Sequence, residues 1–198
     1  MKINKDNYKQ FSYFILILIA ISTSVVYCIS YILKIKNINL PFWVEIPSIS
    51  GVYALLFYLF DNFCWKWDFF KKIHLIIAED LNGEWEGVAK SSYDKFKSNI
   101  KIVLKIKQKA TNIIVNGIFD NSKSVSFNEN FENSEIDADV ALFYFFRNQP
   151  NYNAPETMAM HEGCVKLVYN KKDKSLEGYY YSGRDRNNHG TIKVFKKK

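Results

Sequence analysis

The feature of this sequence that most limits its fold is an uncharged run of 23 residues from Phe11 to Leu33. At a rise of about 1.5 Å per residue, a helix of this length covers the roughly 30 Å of hydrocarbon in a bilayer. A cleaved signal peptide has a shorter apolar core and a small-residue cleavage site, whereas this run contains Tyr27 and Tyr31 and leads into Lys34. It therefore predicts a membrane-spanning helix that stays in the mature protein.

A second apolar segment covers residues 44–60, and its stretch from Val52 to Phe60 contains no charged residue. Its start is more polar, with Glu45 at the edge, where a solvated interfacial carboxylate is expected rather than a functional one inside the membrane. Aromatic side chains bracket the segment as an interfacial belt does; they are Phe42, Trp43, Trp65 and Trp67. Residues 1–72 are therefore predicted to form a hairpin of two transmembrane helices.

The lysines predict the orientation of this hairpin, because cytoplasmic loops of membrane proteins are enriched in positive charge. Three lysines precede the first span and three follow the second, against two in the connecting loop; they are Lys2, Lys5 and Lys9, Lys66, Lys71 and Lys72, and Lys34 and Lys36. After the hairpin the only cysteine is Cys164, so no disulfide can form within that region, which fits a reducing compartment. We expect both termini to be cytoplasmic.

Residues 73–198 consist of short segments of period two separated by turn-forming residues. In one segment Ile100, Ile102, Leu104 and Ile106 alternate mainly with lysines, which is typical of a strand with one buried face. The other predicted strands are Glu84–Tyr93, Thr111–Phe119, Ser124–Phe131, Asp139–Arg147, Glu162–Tyr169, Ser175–Ser182 and Thr191–Phe195, with a turn at residues 187–190. Eight antiparallel strands in so short a region favour an all-β domain closed into a small barrel, and a two-sheet sandwich is the alternative.

The composition argues against several classes of function. Residues 73–198 contribute 19 Lys and Arg against 16 Asp and Glu to a formal net charge of +7, so they lack the concentrated basic face of a protein that binds long nucleic acid. The sequence has no Ser-His-Asp order, phosphate-binding glycine loop, zinc-ligand pair or pair of catalytic carboxylates, and its histidines are His74, His161 and His189. We expect no enzymatic activity, no catalytic residues, no metal site and no cofactor.

Aromatic, amide and cationic residues are concentrated late in the predicted barrel. One group extends from Tyr144 to Asn153 and leads to His161, and the other extends from Gly178 to Arg186. Aromatic faces stack on bases, amides hydrogen-bond to base edges, and guanidinium groups pair with phosphate oxygens. A nucleotide would use all three kinds of contact.

Strand parity supports a polar spot inside the barrel, because His161 shares its face with Val165, and Tyr180 shares its face with Leu176. Structural roles are the alternative, since an inward histidine is more often a hydrogen-bonded core residue than a ligand contact. Arg184 and Arg186 flank Asp185 in a predicted turn. For each arginine taken alone, a surface ion pair is expected rather than phosphate binding.

Several motifs together resemble a known family. The segment Gly83-Glu84-Trp85-Glu86-Gly87 is similar to the first strand of lipocalin-type barrels, in which a Trp closes the barrel floor, so Gly83, Trp85 and Gly87 are given structural roles. This segment, the two-span hairpin, the stretch from Tyr144 to Pro150, His161-Glu162-Gly163 and Leu176-Glu177-Gly178-Tyr179-Tyr180 resemble the SMODS-associated two-transmembrane β-strand-rich effectors of CBASS antiphage systems. The resemblance covers essentially the whole chain.

The resemblance implies an antiviral function. Its barrel would bind a cyclic dinucleotide made by a partner cyclic-oligonucleotide synthase, and the bound protein would form homo-oligomers and disrupt the lipid bilayer of the inner membrane. It implies that the ligand contacts are Tyr144, Asn148, Tyr152, His161, Tyr180, Arg184 and Arg186. Two rival functions stay open: a membrane-anchored, lipocalin-like barrel that holds an apolar ligand, and a membrane-tethered adaptor that binds a protein and no small ligand.

Overall fold

The computed structural model describes residues 5–39, 41–76, 78–133, 140–155, 158–183 and 186–197. The chain divides into two compact units, one within residues 3–76 and one within residues 77–198. The first unit contains helix α1 (Lys5–Ile35) and helix α2 (Phe42–Asn62), followed by a 3-10 turn (Cys64–Lys66) and the short helix α3 (Asp68–Lys72). By length and composition, α1 over Lys9–Ile35 and the whole of α2 are candidate membrane spans.

The two long helices pack through a stripe of residues spaced four apart on α1. Leu18, Ser22 and Val26 are buried in this stripe, and the rings of Phe14 and Phe60 are 4.3 Å apart between centroids. Ser22 Oγ donates a 2.7 Å hydrogen bond to the Leu18 carbonyl, so the helix itself satisfies this hydroxyl. Many other apolar side chains of α1 and α2 are exposed, as they are in helices that face lipid.

The second unit is a closed antiparallel barrel of eight strands. The strands are β1 (Gly83–Ser91), β2 (Ile100–Gln108), β3 (Ile113–Phe119), β4 (Ser122–Asn133), β5 (Val140–Pro150), β6 (His161–Asn170), β7 (Ser175–Ser182) and β8 (His189–Lys196). Each strand pairs with the next, and β8 pairs with β1 in a register that sets Val194 opposite Gly87. The predicted small barrel is confirmed, because this last pairing leaves none of the edges that a two-sheet sandwich has.

One end of the barrel is filled by a tryptophan. Trp85 is fully buried, its Nε1 donates a 2.9 Å hydrogen bond to the Leu81 carbonyl, and the ring of Tyr169 packs edge-on against it at 5.9 Å. Inward aliphatic side chains surround it; they are Ile106, Ile113, Val115, Leu142, Leu167, Leu176 and Val194. We call this the closed end of the barrel.

Two amide side chains tie the chain to the closed end. Gln108 Oε1 accepts a hydrogen bond from the Leu81 backbone N–H at 2.8 Å, and the Gln108 backbone N–H donates to Asn82 Oδ1 at 2.7 Å. Nearby, Gly87 allows β1 and β8 to approach, since a Cβ there would lie 2.1 Å from the Lys193 carbonyl oxygen. Gly83 adopts a φ of +123°, which side chains other than glycine rarely adopt.

Most predicted strand boundaries are wrong by one to three residues, and the largest difference is at the end of β5, which continues past Arg147 to Pro150. Two of the differences have a clear local cause. β1 ends at Ser91 rather than Tyr93, because Ser91 Oγ accepts a 3.2 Å hydrogen bond from the Tyr93 amide and the chain enters a 3-10 turn. β8 begins at His189, so Gly190 belongs to the strand and not to the predicted turn. A Cβ on Gly190 would lie 2.4 Å from the Tyr180 ring, which shows that this glycine serves strand packing.

Candidate functional site

A cavity of about 720 Å³ opens at the end of the barrel opposite the closed end. We call this end the mouth. It is formed by the β1–β2, β3–β4, β5–β6 and β7–β8 connections, which in an up-and-down barrel all lie at the same end. Aliphatic side chains line its inner part; they are Ile102, Leu104, Val165 and Ile192. The volume is within the range of small-molecule pockets, about 300–1,000 Å³.

The structure brings five of the seven sequence-predicted contact residues to this cavity; they are Tyr144, Asn148, His161, Tyr180 and Arg186. Strand alternation explains their placement, since Tyr144 and Asn148 are four residues apart on β5 and both point inward. Tyr152 is fully exposed after β5 and is not among the described residues that line the cavity. Arg184 lies outside the described residues.

Tyr144 and Asn148 present buried polar groups to the cavity. Tyr144 is 3% exposed and Asn148 is 4% exposed. Burial raises the pKa of the Tyr144 hydroxyl well above its ordinary value, so the group is a neutral donor and acceptor at physiological pH. Within the described part of the chain, neither side chain makes a hydrogen bond to another residue. Both are therefore available to a polar ligand.

His161 adds a neutral ring at the start of β6. Burial is the main cause that holds the pKa of His161 below its ordinary value of 6.5, and the nearby positive charge of Arg186 acts in the same direction. Nδ1 lies 3.1 Å from the Ala159 carbonyl oxygen, to which it donates as the protonated nitrogen. Nε2 is then an acceptor. The Phe146 ring stands edge-on to the imidazole at 6.1 Å between centroids.

Two glycines make room for the aromatic rings of the cavity wall. A Cβ on Gly163 would lie 2.6 Å from the Phe146 ring, and a Cβ on Gly190 would lie 2.4 Å from the Tyr180 ring. Each ring therefore packs against the backbone of a neighbouring strand at a distance that a side chain on the glycine would not allow. Flat aromatic surfaces of this kind suit the stacking of a planar ligand.

The charge of the lining is low. Among the described lining residues, Arg186 is the only Lys or Arg, while Asp94 and Asp120 carry carboxylates. Hydrogen bonds from Ser98 hold the pKa of Asp94 below its ordinary range, so this carboxylate is ionised. Among the described residues, and with His161 neutral, the lining therefore offers more surface for stacking and for hydrogen bonds to neutral groups than positive charge.

Sequence reasoning missed the polar residues that the early strands bring to the mouth. They include Ser91, Tyr93, Asp94, Ser98 and Asn99 from the β1–β2 connection, and Asp120, Asn121, Ser122 and Ser124 from the β3–β4 region. The signal was present, because alternate connections of an eight-stranded meander share one end of the barrel. No group of three or more His, Cys, Asp and Glu among the described residues is arranged to hold a metal ion.

Two comparisons with known proteins agree with this geometry. Residues 78–196 match the family model described as Cap15, cyclic dinucleotide receptor domain. The chain is also similar to the CD-NTase-associated protein 15 of Yersinia aleksiciae, with 25% identity over 172 residues that cover 80% of this chain and 74% of that protein. The family model spans more than half of the chain and takes in all eight barrel strands. The family expected from the sequence is thereby confirmed, and the chain belongs to the Cap15 family of CBASS-associated proteins with a cyclic dinucleotide receptor domain.

Proposed function

We propose that this protein is a CBASS effector whose barrel binds a cyclic dinucleotide at the mouth, and that the bound protein oligomerises and disrupts the inner membrane without catalysing a reaction. The observation that carries the proposal is the mouth cavity, in which aromatic rings, a buried amide and a guanidinium group face one volume of about 720 Å³. This cavity belongs to the region matched by the receptor-domain model.

The chemistry of a cyclic dinucleotide fits this lining group by group. Its two bases offer flat faces for Tyr180 and Phe146, and their edges offer donors and acceptors for Tyr144 and Asn148. One phosphodiester would accept hydrogen bonds from Arg186, since a guanidinium pairs with phosphate oxygens in a bidentate way.

The rim of the cavity disfavours the lipocalin-like alternative. An apolar ligand would cover the amide of Asn148 without offering it a hydrogen bond, and an unpaired buried amide costs about 1–3 kcal/mol. It would also remove water from the carboxylates of Asp94 and Asp120 at the rim. The adaptor alternative requires no cavity at all. We therefore favour the cyclic dinucleotide receptor function over both the lipid-binding and the adaptor alternatives.

The membrane step follows from tethering. The hairpin of α1 and α2 would hold every copy in one plane, with the barrel and both termini on the cytoplasmic side. Confinement raises the effective concentration, so a small ligand-induced gain at each interface is enough to drive assembly. Clustered hairpins would then perturb the bilayer.

The decisive experiment is thermal unfolding of the full chain in detergent with cyclic di-AMP, cyclic di-GMP, cyclic GMP–AMP and the matching linear dinucleotides. A ligand present at 100 times its Kd stabilises the protein by about 2.7 kcal/mol, which raises the Tm by several degrees. We expect a shift with at least one cyclic dinucleotide that Asn148→Ala removes. Gln149→Ala is the matched control, because this neighbouring amide on β5 points outward and is exposed.

The same variants test the membrane step in dye-filled vesicles of anionic phospholipid. The active cyclic dinucleotide should release dye from vesicles that contain wild-type protein or Gln149→Ala, and should release none with Asn148→Ala. Binding without leakage would separate the receptor function from the membrane function. If no cyclic dinucleotide shifts a folded protein, the proposal fails and the lipid-binding or adaptor function takes its place.

A further inference from the structure

The short helix α3 follows the second candidate span and has one apolar and one polar side. With about 3.6 residues per turn, its apolar side consists of Phe69, Phe70 and the flanking Ile73, and its polar side consists of Asp68, Lys71 and Lys72. An amphipathic helix buries its apolar side against another part of the protein or against a membrane. The contacts and the exposure of the three apolar residues show which of these covers each of them.

Phe70 attaches α3 to the helical hairpin. Its ring stands edge-on to Phe60 of α2 at 5.1 Å and to Phe14 of α1 at 6.0 Å between centroids. Phe14 lies three residues inside the uncharged run that begins at Phe11, which is about 5 Å along a helix. Helix α3 therefore packs beside the first turn of the apolar part of α1, where a bilayer changes from headgroups to hydrocarbon.

The end of α3 is closed by a residue in the left-handed conformation. His74 has a φ of +55°, and its backbone N–H donates to the Lys71 carbonyl at 3.0 Å. The Leu75 N–H donates to the Phe70 carbonyl, also at 3.0 Å. These two hydrogen bonds form a Schellman motif, which ends a helix and turns the chain away from its axis. Helix α3 is therefore a separate, capped element.

The apolar side chains beside Phe70 are largely uncovered by the protein. Trp67 and Phe69 are each 61% exposed, and Ile73 is 44% exposed. With about 200 Å² for each aromatic side chain, Trp67 and Phe69 alone leave roughly 250 Å² of apolar surface uncovered. Exposed apolar residues of α2 and the residue after it, such as Leu59 and Phe63, precede this surface along the chain. The surface thus follows directly on the part of the hairpin that faces lipid.

The charges around this surface suit a phospholipid headgroup region. Residues 61–73 contain three lysines and two aspartates, and Lys72 is exposed on the polar side of α3. Trp and Lys are both typical of the membrane interface, where the indole ring lies at the level of the headgroups and the ammonium group extends toward water. A slight excess of positive charge favours a bilayer that contains anionic lipid.

We propose that Trp67 and α3 form an interfacial anchor, which lies in the plane of the bilayer and is separate from the two spans. Trp67, Phe69 and Ile73 contact acyl chains just below the headgroups, and Lys72 faces the lipid phosphates. Because Phe70 holds α3 against the hairpin and His74 ends it, the anchor fixes the depth at which the chain leaves the bilayer. The inference rests on the membrane-spanning hairpin of the proposed function.

The test measures the depth of nitroxide spin labels on the full chain in vesicles of phosphatidylcholine and phosphatidylglycerol. The native cysteines are replaced by Ser, and one label is attached through Phe69→Cys, Leu55→Cys or Lys101→Cys. Leu55 is 57% exposed near the middle of α2 and reports the hydrocarbon, whereas Lys101 is exposed on β2 and reports water. Oxygen concentrates in hydrocarbon and a nickel chelate in water, so the ratio of the two accessibilities gives the depth.

The Phe69 label should lie about 5–10 Å into the interface, with a ratio between those of the other two labels. A Phe69 label in water together with a deep Leu55 label would overturn the inference and leave the spans intact. A Phe69 label shielded from both oxygen and nickel would show that protein covers this face, and would also overturn it. A Leu55 label in water would refute the membrane-spanning hairpin itself, and with it the membrane step of the proposed function.

Phe70→Ala tests the attachment of α3 to the hairpin. It removes the ring that contacts Phe14 and Phe60, so the Phe69 label should move faster and occupy a wider range of depths. Phe11→Ala is the matched control, because the described ring contact of Phe11 is with Phe14 and not with α3. The Leu55 label should keep its depth in both variants, which establishes that the hairpin is still inserted. An unchanged Phe69 label in Phe70→Ala would overturn the fixed depth.

Discussion

Tyr144→Phe removes a single oxygen atom from the wall of the mouth cavity. The residue is 3% exposed on β5, and burial raises the pKa of its hydroxyl. That hydroxyl makes no hydrogen bond to another residue within the described part of the chain. The hydroxyl is not one of the fully buried polar atoms that lack a partner; it borders the open cavity, where solvent can hydrogen-bond to it until a ligand takes that place.

The substitution should therefore affect ligand binding and not stability. Because solvent can satisfy the hydroxyl in the ligand-free protein, its removal should leave the Tm within about 1 °C of wild type. The lost ligand hydrogen bond is worth about 1 kcal/mol, so the Kd for the cyclic dinucleotide should rise about fivefold.

Thermal unfolding followed by near-ultraviolet circular dichroism and calorimetric titration of the full chain in detergent measure both quantities. Tyr179→Phe is the matched control, since Tyr179 lies on the outer wall of β7 and its hydroxyl has no contact with the cavity lining. A Tm lowered by several degrees in Tyr144→Phe would show that the protein itself holds the hydroxyl in a stabilising hydrogen bond before ligand binds. An unchanged Kd would exclude it from the site.

Three further predictions test the cavity and the closed end. Arg186→Ala should weaken cyclic dinucleotide binding about tenfold, as expected for a charge-assisted hydrogen bond, and should reduce the dependence of Kd on potassium chloride concentration; unchanged salt dependence would contradict a phosphate contact. Since the pKa of His161 is lowered in the folded protein, the unfolded chain binds the proton more strongly, and this group destabilises the fold as pH falls below about 6.5. His161→Gln should therefore lose less Tm than wild type between pH 7.5 and pH 5.5, and equal losses would refute the assigned shift. Gln108→Ala leaves the buried Leu81 amide without its acceptor and should cost about 1–3 kcal/mol of stability while leaving the ligand Kd unchanged, because both residues are at the closed end.

The barrel was predictable because several of its strands, above all β2, alternate apolar and polar residues. Ile102, Leu104 and Ile106 are all 2–3% exposed, as their spacing indicates. The strand Ser175–Ser182 has its predicted bounds. The errors came from residues with more than one structural use, such as Gly190, which looks like a turn residue and instead makes room for a ring from the neighbouring strand.

The candidate site was only half predictable, and the reason is that barrel closure is a long-range event. Tyr144, Asn148 and His161 could be grouped because they are near one another in sequence. Alternation along β5 and along β6 also places each of them on the inward face of its strand. Asp94 and Asp120 come from the connections between earlier strands, and only the closure of the sheet brings them to the same cavity. Their carboxylates change the electrostatics that the later residues alone had indicated.

Those carboxylates bear on how a receptor of this kind avoids the common nucleotides of the cell. A nucleoside triphosphate carries about four negative charges on one flexible tail. A lining whose described residues include Asp94, Asp120 and one arginine, Arg186, opposes that density of charge. A cyclic dinucleotide carries two charges on opposite sides of a rigid ring and presents two bases in return. Binding of the bases is favoured by the rings of Phe146 and Tyr180 and by the buried amide of Asn148. Additional phosphate groups are disfavoured by the carboxylates at the rim. Selectivity then arises from the difference between the binding free energies of the two kinds of ligand. A strongly basic cavity would bind abundant nucleoside triphosphates as well, whereas a lining with one arginine among its described residues favours the cyclic dinucleotide.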